Sequence, residues 1–438
     1  MLRYILPLLG LTLLAIFAVL YAFDSDAYYR ALTTIGIKPT KYPFIDWEFI
    51  PAGIKCWNNN IDIYITHPCD PFNRRFTYSP LWLRLVFIPT DRVWTMPIGT
   101  GIVVAFWLSL FWLVKPANWR ELIVFALACT STMIVFALER GNVDVILFIM
   151  LVAAGVLSTG PLASRILSYA LILLAGLLKF YPLIVFLTAL RERPRAFFAI
   201  AAAAGLIVVG FFYRFQTEIA AALKNTFWGG HASELFGSVN LPVGVPRFAL
   251  PLFPGLEQFA WYTALPGAIM AVLLILTAVQ VIRLARNGDL AAAFANMPER
   301  DAMFLVIGAA LIAGCFFAGQ SVNYRGIHLI FVVAGLVAMR RAADARGTRA
   351  SLTRALMIVV FLMWEGLIRQ ALPHDEAAGL GPARLAPFGL FWLIREVLWW
   401  RLVALLLGVL AIFGLRSELF AALQAIGRRY RGQSHLHR

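Results

Sequence analysis

Between Leu138 and Pro182 the sequence reads LERGNVDVILFIMLVAAGVL, a short polar break, then RILSYALILLAGLLKFYP. Two long apolar runs joined by a small polar turn describe a membrane hairpin. Its polar groups sit at the two ends: Glu139, Arg140, Asn142 and Asp144 at one, Lys179 at the other. An ionisable residue at the edge of an apolar run is costly unless it lines a cavity or finds a partner. The hairpin therefore predicts that these groups meet on one face of a membrane, and most other polar motifs are expected on that face too.

The rest of the chain fits this reading. Of its 438 residues, 61% are hydrophobic and 14% charged, against roughly 45–50% and about 25% in soluble domains. The expected fold class is an all-α polytopic membrane protein, forming one integral-membrane domain over 1–438. A β-barrel is excluded because unbroken apolar runs replace the alternation that barrels need. The formal charge of +15 would suggest nucleic acid for a soluble protein. Here the positive-inside rule accounts for it, and no nucleic-acid partner is expected.

Residues 2–23 read as a retained first span with a cytoplasmic N-terminus; a cleaved signal peptide is the competing reading. Residues 24–93 form an outer loop too aromatic to be disordered, with short helices expected on the membrane surface, anchored by Trp and Tyr. Within it, 81–88 is a candidate to dip into the bilayer. Further spans are expected near 94–114, 120–138, 143–158, 163–178, 182–190, 196–213, 260–283, 303–319, 326–339, 354–372 and 398–415. Segment 182–190 is too short to cross alone, so 163–190 reads as a broken pair whose turn, Lys179–Pro182, reaches a cavity. About twelve passes place the basic loops mostly on one side, with both termini and the basic 416–438 tail cytoplasmic. The loops 24–93 and 214–258 then lie outside. No 20–50-residue repeat and no inverted pair of broken helices is visible.

Among the loop acids Asp24, Asp26, Asp46, Glu48, Asp62 and Asp70, Asp46 stands out. It sits in YPFIDWEFIPAGI, where apolar neighbours hold it near the membrane as a general base for a hydroxyl arriving from the lipid side. Glu48 is the reserve; Asp62 and Asp70 read as solvated charges. Arg140, Lys179, Arg247 and Arg325, with Arg74 and Arg75, bring cations from several segments to the outer face. Each alone is as well explained by headgroup contact, but together they suit a lipid-borne phosphate, which arginine forks grip bidentately. His67, His231, His328 and His374 are scattered without ligand spacing, so no metal site is expected. Cys56 and Cys69 share the outer loop and are either bridged or two free thiols; Cys129 and Cys315 lie in apolar runs.

Several motifs are similar to those of glycosyltransferase family 87, in the GT-C superfamily of membrane glycosyltransferases. They are FIDWEFIPAGI around Asp46, NNIDIYI at 59–65, FTYSPL at 76–81 with Tyr78, and ERGNVDVILF with Arg140 and Asn142. AGLLKFYP with Lys179 and Tyr181, and SVNLPVGVPRF ending on Arg247 and Phe248, complete the set. The likeness runs well over about residues 1–250 and loosely beyond, where GQSVNYRG carries Arg325. The resemblance implies a GT-C-like bundle of about twelve spans in a bacterial inner membrane. It implies a polyprenyl-phosphate-linked sugar as donor and a lipid or glycan hydroxyl as acceptor. Asp46, or Glu48, would be the base. Arg140, Asn142, Lys179, Tyr181, Arg247, Arg325 and Tyr78 would contact substrate, and the scheme requires no metal or other cofactor. An O-antigen-type ligase or polymerase using a diphosphate-linked glycan is the alternative enzyme. A lipid or solute transporter is the alternative of another class.

Overall fold

The computed structural model describes residues 2–226, 235–250, 253, 255–372 and 382–425. His231, His374 and the tail arginines beyond 425 lie outside the described residues, as do parts of the 214–258 and 373–397 loops. The described chain is almost wholly helical. The first half carries α1 (Leu2–Phe23), α2 (Ser25–Thr34), α3 (Ile45–Asn58), α4 (Thr95–Leu113), α5 (Trp119–Cys129), α6 (Thr132–Arg140), α7 (Val143–Leu157) and α8 (Leu162–Lys179). A 3-10 stretch, Tyr181–Arg191, leads to α9 (Pro194–Arg214), α10 (Gln216–Lys224), α11 (Asn240–Ala249), α12 (Leu265–Ala285) and α13 (Gly288–Ala295). Then come α14 (Glu299–Ala318), a 3-10 turn Asn323–His328, α15 (Leu329–Ala342), α16 (Arg346–Met363), α17 (Glu365–Ala371) and α18 (Pro382–Leu415). The two-residue strands β1 (Leu235–Phe236) and β2 (Ser321–Val322) pair antiparallel, Leu235 opposite Val322.

Among the described residues, seven helices are long and apolar enough to cross a membrane, or nine if the bent pairs α5–α6 and α16–α17 each count as one span. The count of about twelve is not reproduced. Its shortfall lies in the centre: α7 has 15 residues and rises only about 22 Å at 1.5 Å per residue, short of a hydrocarbon core of roughly 30 Å. Helix α7 is packed within the bundle, where α14 and α15 are buried on almost every face. By contrast α9 and α12 are apolar yet almost wholly exposed, as helices facing lipid are.

The break after Lys179 falls where the sequence put it. Helix α8 ends there, Phe180 takes a positive φ of 41°, and the 3-10 stretch continues from Pro182, which lacks the amide hydrogen needed to extend the α-helical ladder.

The 24–93 loop does hold helices, but α3 is not laid on a surface. Ile45 and Trp47 through Ile54 are buried, and only Asp46 is half-open in that run. Phe49 stacks on Phe76 at 5.2 Å, and Cys56 and Cys69 form a disulfide with their Cα atoms 5.9 Å apart. The Trp82 indole donates to the Leu178 carbonyl at 3.1 Å, tying the loop to α8. Segment 81–88 forms a short 3-10 turn at Trp82–Arg84 and leaves Val86 and Phe87 exposed.

Candidate functional site

Four helix ends meet in one place. The N-terminal turns of α3 and α7 bring Asp46 and Asp144; the C-terminal turns of α6 and α8 bring Arg140 and Lys179. Each charge has the sign that its helix dipole favours, acids at N-termini and cations at C-termini. The chain can turn so sharply between α6 and α7 because Gly141 adopts φ +58°. A Cβ there would lie 3.1 Å from Trp47 Cβ and 3.2 Å from Phe44 Cβ. Phe44 in turn donates its backbone N–H to the Glu139 carbonyl at 2.7 Å, fixing the start of α3 against the end of α6.

Asp46 accepts from Arg74 Nη1 on Oδ1 and from Asn142 Nδ2 on Oδ2, both at 2.9 Å. Arg140 stands 3.9 Å away. Arg74 is itself held by Asp70, at 2.9 Å from its Nη2, and donates to the Ile45 carbonyl at 3.0 Å. Asp70 is thus no solvated charge: its carboxylate is buried and accepts five hydrogen-bond contacts, from the side chain and amide of Arg74 and the amide of Phe72. Burial works against its ionisation, but the hydrogen bonds and charge of Arg74 outweigh it, and the Asp70 carboxyl lies below the usual carboxylate range. Burial likewise opposes the Arg74 charge, and Asp70 and Asp46 reverse that effect, raising its pKa. Asp62 is exposed and caps a turn by accepting from the Tyr64 amide.

Glu48 points elsewhere. Two residues along α3 from Asp46, it is buried and pairs with Arg92 Nε at 3.3 Å, in a separate pocket with Tyr42 and Lys41.

The second half of the site centres on Asp144, which is fully buried. Its Oδ1 receives Lys179 Nζ at 2.8 Å and Tyr181 Oη at 2.9 Å. Lys179 therefore has a protein partner and does not wait for a phosphate to supply one. It also stands 5.2 Å over the rings of both Tyr78 and Tyr324. Tyr181 Oη lies 2.6 Å from His328 Nε2, and Arg325 stacks over the Tyr181 ring at 5.1 Å while donating to Ser321 Oγ at 2.7 Å. Asn142 joins the halves: its Nδ2 serves Asp46, and its Oδ1 caps α7 by accepting from the Asp144 amide at 3.0 Å.

Of the residues singled out from sequence, Asp46, Arg140, Asn142, Lys179, Tyr181, Tyr78 and Arg325 come together here. Glu48 does not. Arg247 is exposed near the end of α11, an element that packs chiefly on α12 and α18. Asp144, Arg74, Asp70, His328 and Tyr324 complete the group. Asp144 carried a signal, an acid inside an apolar run two residues after a capping Asn. Arg74 and Asp70 carried another, their i,i+4 spacing in DPFNRR.

Some polar atoms are left over. The Nε atoms of Arg140 and Arg325, Asp144 Oδ2 and His328 Nδ1 have no hydrogen-bond partner. Among the described residues no group of three or more His, Cys, Asp or Glu is placed to hold a metal. Beside the cluster, an apolar cavity of about 240 Å³ lies between α1, α2, α4 and α6, lined by Phe17, Val103 and Trp107 and touching Glu139. The arrangement offers a partly exposed carboxylate flanked by cations, next to an apolar recess. No family model, curated protein or solved structure matches this chain.

Proposed function

We propose that the chain is an integral-membrane glycosyltransferase of GT-C type, bearing the features of family 87, that takes a sugar from a polyprenyl-phosphate donor. One observation carries this reading. The motif segments FIDWEF, ERGNVD, KFYP and SVNYRG, spread from residue 44 to residue 326, supply the side chains of a single cluster.

The chemistry asks for what that cluster offers. An acceptor hydroxyl oxygen attacks the anomeric carbon as the bond from that carbon to the lipid phosphate breaks. The phosphate leaves with the electron pair, and a base takes the hydroxyl proton. Asp46, the half-open carboxylate, is the base. Arg140, which stands 3.9 Å from Asp46, and Arg325, which stacks on Tyr181, stabilise the growing phosphate charge. Lys179, Tyr181 and Asp144 hold the wall behind them, Tyr78 stands beside Lys179, and Asn142 positions Asp46. An apolar recess that includes Glu139 in its lining suits a reactant that arrives from the bilayer. The reading includes a bacterial inner-membrane setting, with the cluster on the outer face and both termini inside.

The direct test is mass spectrometry of lipid that co-purifies with the chain. A polyprenyl phosphate or its glycosylated form is the expected species. A preparation that neither retains such a lipid nor transfers sugar from one overturns the reading.

A further inference from the structure

Far from the cluster, helices α5, α15 and α16 enclose a second cavity of about 500 Å³. Its depth is apolar, lined by Val124, Leu127, Val337, Leu356, Val360 and Phe361. Its mouth is polar and carries Arg120 and Arg340. We infer that this cleft is a binding site for one anionic phospholipid, with an acyl chain in the cleft and its phosphate between Arg120 and Arg340.

Three observations support it. The first is charge. The one acid at the mouth, Glu121, is already committed: Arg341 takes both of its oxygens and the Ala117 amide donates to one at 2.7 Å. With Glu121 neutralised, Arg120, which is exposed, and Arg340, which spends only Nε, on Thr353 Oγ1 at 3.0 Å, leave a net positive rim. Guanidinium groups so placed favour phosphate oxygens over other acceptors.

The second is shape. From Thr353 to Phe361 the lining of α16 spans nine residues, about 12 Å of helix from first to last, which is an acyl-chain dimension rather than that of a small soluble anion. Just past Phe361 the Trp364 indole donates to the Leu127 carbonyl at 2.8 Å, tying the end of α16 to α5 beside the cleft. The third is setting. The α5–α6 and α16–α17 pairs are both candidate spans, and Leu127 and Met357 at the cleft are 43% and 58% exposed. The cleft thus opens sideways, the direction in which a spanning bundle faces the bilayer.

The site shares no residue with the proposed sugar-transfer centre and stands or falls without it. The test uses the purified full chain in detergent, titrated with phosphatidylglycerol or phosphatidylcholine and read by native mass spectrometry. The wild-type chain is expected to retain phosphatidylglycerol about tenfold better, the preference that two exposed charge-assisted contacts confer. The double variant Arg120→Gln/Arg340→Gln, which alters only the rim, loses that preference. Val360→Trp, which fills the cleft, loses retention of both lipids. Arg354→Gln, also basic and nearby in sequence, keeps the preference, and each variant is checked for an unchanged elution profile. Equal retention of the two lipids by the wild type overturns the inference, as does a preference that survives in the double variant. Displacement of bound lipid by inorganic phosphate alone also overturns it, since a chain-anchored ligand would resist.

Discussion

Asn142 Nδ2 lies 2.9 Å from Asp46 Oδ2, and the same side chain caps the helix that carries Asp144. One amide therefore sets the distance between two carboxylates that come from different parts of the chain. The cluster is built from such shared contacts, and the predictions turn on which contact each substitution removes.

Asp46→Asn keeps shape and polarity but cannot take a proton. General-base catalysis is typically worth about 10²–10⁴-fold, so turnover with a polyprenyl-phosphate sugar should fall within that range while donor binding changes little. Glu48→Gln, in its own pocket beside Arg92, should leave turnover near wild type. A rate that collapses in Glu48→Gln and survives in Asp46→Asn reverses the assignment.

Lys179→Met removes the partner of a fully buried carboxylate. Breaking a buried pair from one side costs about 3–5 kcal/mol, so the thermal midpoint in detergent should drop sharply. Adding Asp144→Asn should restore much of the loss, because no uncompensated charge then remains. Donor affinity measured in that double variant separates a phosphate contact by Lys179 from its service to the fold. An unchanged midpoint in the single variant would sink the pairing.

The Asp70 carboxyl titrates below its unfolded value, held there by Arg74 against the effect of burial. A depressed folded pKa stabilises the native state above the unfolded pKa of about 3.9 and is lost as pH falls through the folded value. Wild-type stability should therefore decline below about pH 4. Asp70→Asn should be less stable than wild type at neutral pH and should lose part of that acid dependence. Its effect is expected to exceed that of Asp62→Asn, where the carboxylate is exposed.

The Cys56–Cys69 bridge closes a loop of 13 residues in sequence separation. In the chain-entropy model a loop of this size contributes about 3 kcal/mol. Cys56→Ser/Cys69→Ser should lower stability by that order and loosen the segment that holds Asp70 and Arg74. Alkylation without reductant should add no mass at these positions; two added groups would reject the bridge.

With Cys56 and Cys69 bridged and Cys129 and Cys315 buried, the native background for thiol labelling is low. Asp62→Cys and Ala350→Cys both stand at exposed positions. In oriented membranes they should label from opposite sides, Asp62→Cys from outside. Labelling of both from one side would overturn the proposed topology.

Much of this was legible in sequence, for physical reasons. Apolar runs and a proline after Lys179 announce helices and their break, and ionisable residues at run edges must converge or be solvated. What pattern could not supply was pairing. Nothing in KFYP says that Lys179 meets Asp144 rather than a ligand, and Asp70 looks like any loop acid until Arg74 folds back on it. The span count was not reproduced, for a related reason: among the described residues seven to nine helices qualify. Helices such as α7 and α15 are apolar because protein surrounds them, and hydropathy alone cannot tell that from lipid. Likewise the expected single span over 120–138 bends by 48° between α5 and α6. No proline marks that bend. It occurs at Thr130–Ser131, where the Thr130 hydroxyl bonds back to the Ala126 carbonyl, a habit of Thr that bends helices.

Gly141 has a consequence for how the protein fails. Its left-handed turn lies so close to Trp47 and Phe44 that an added methyl group would force them to give way, so α3, α6 and α7 interlock at their tips through backbone as much as through side chains. Such a joint has no intermediate settings. A solvent or temperature that loosens it would part Asp46 from Asn142 and Asp144 together. Activity should then be lost in one step as conditions worsen, like a latch springing, while the outer, lipid-facing helices still read as fully helical.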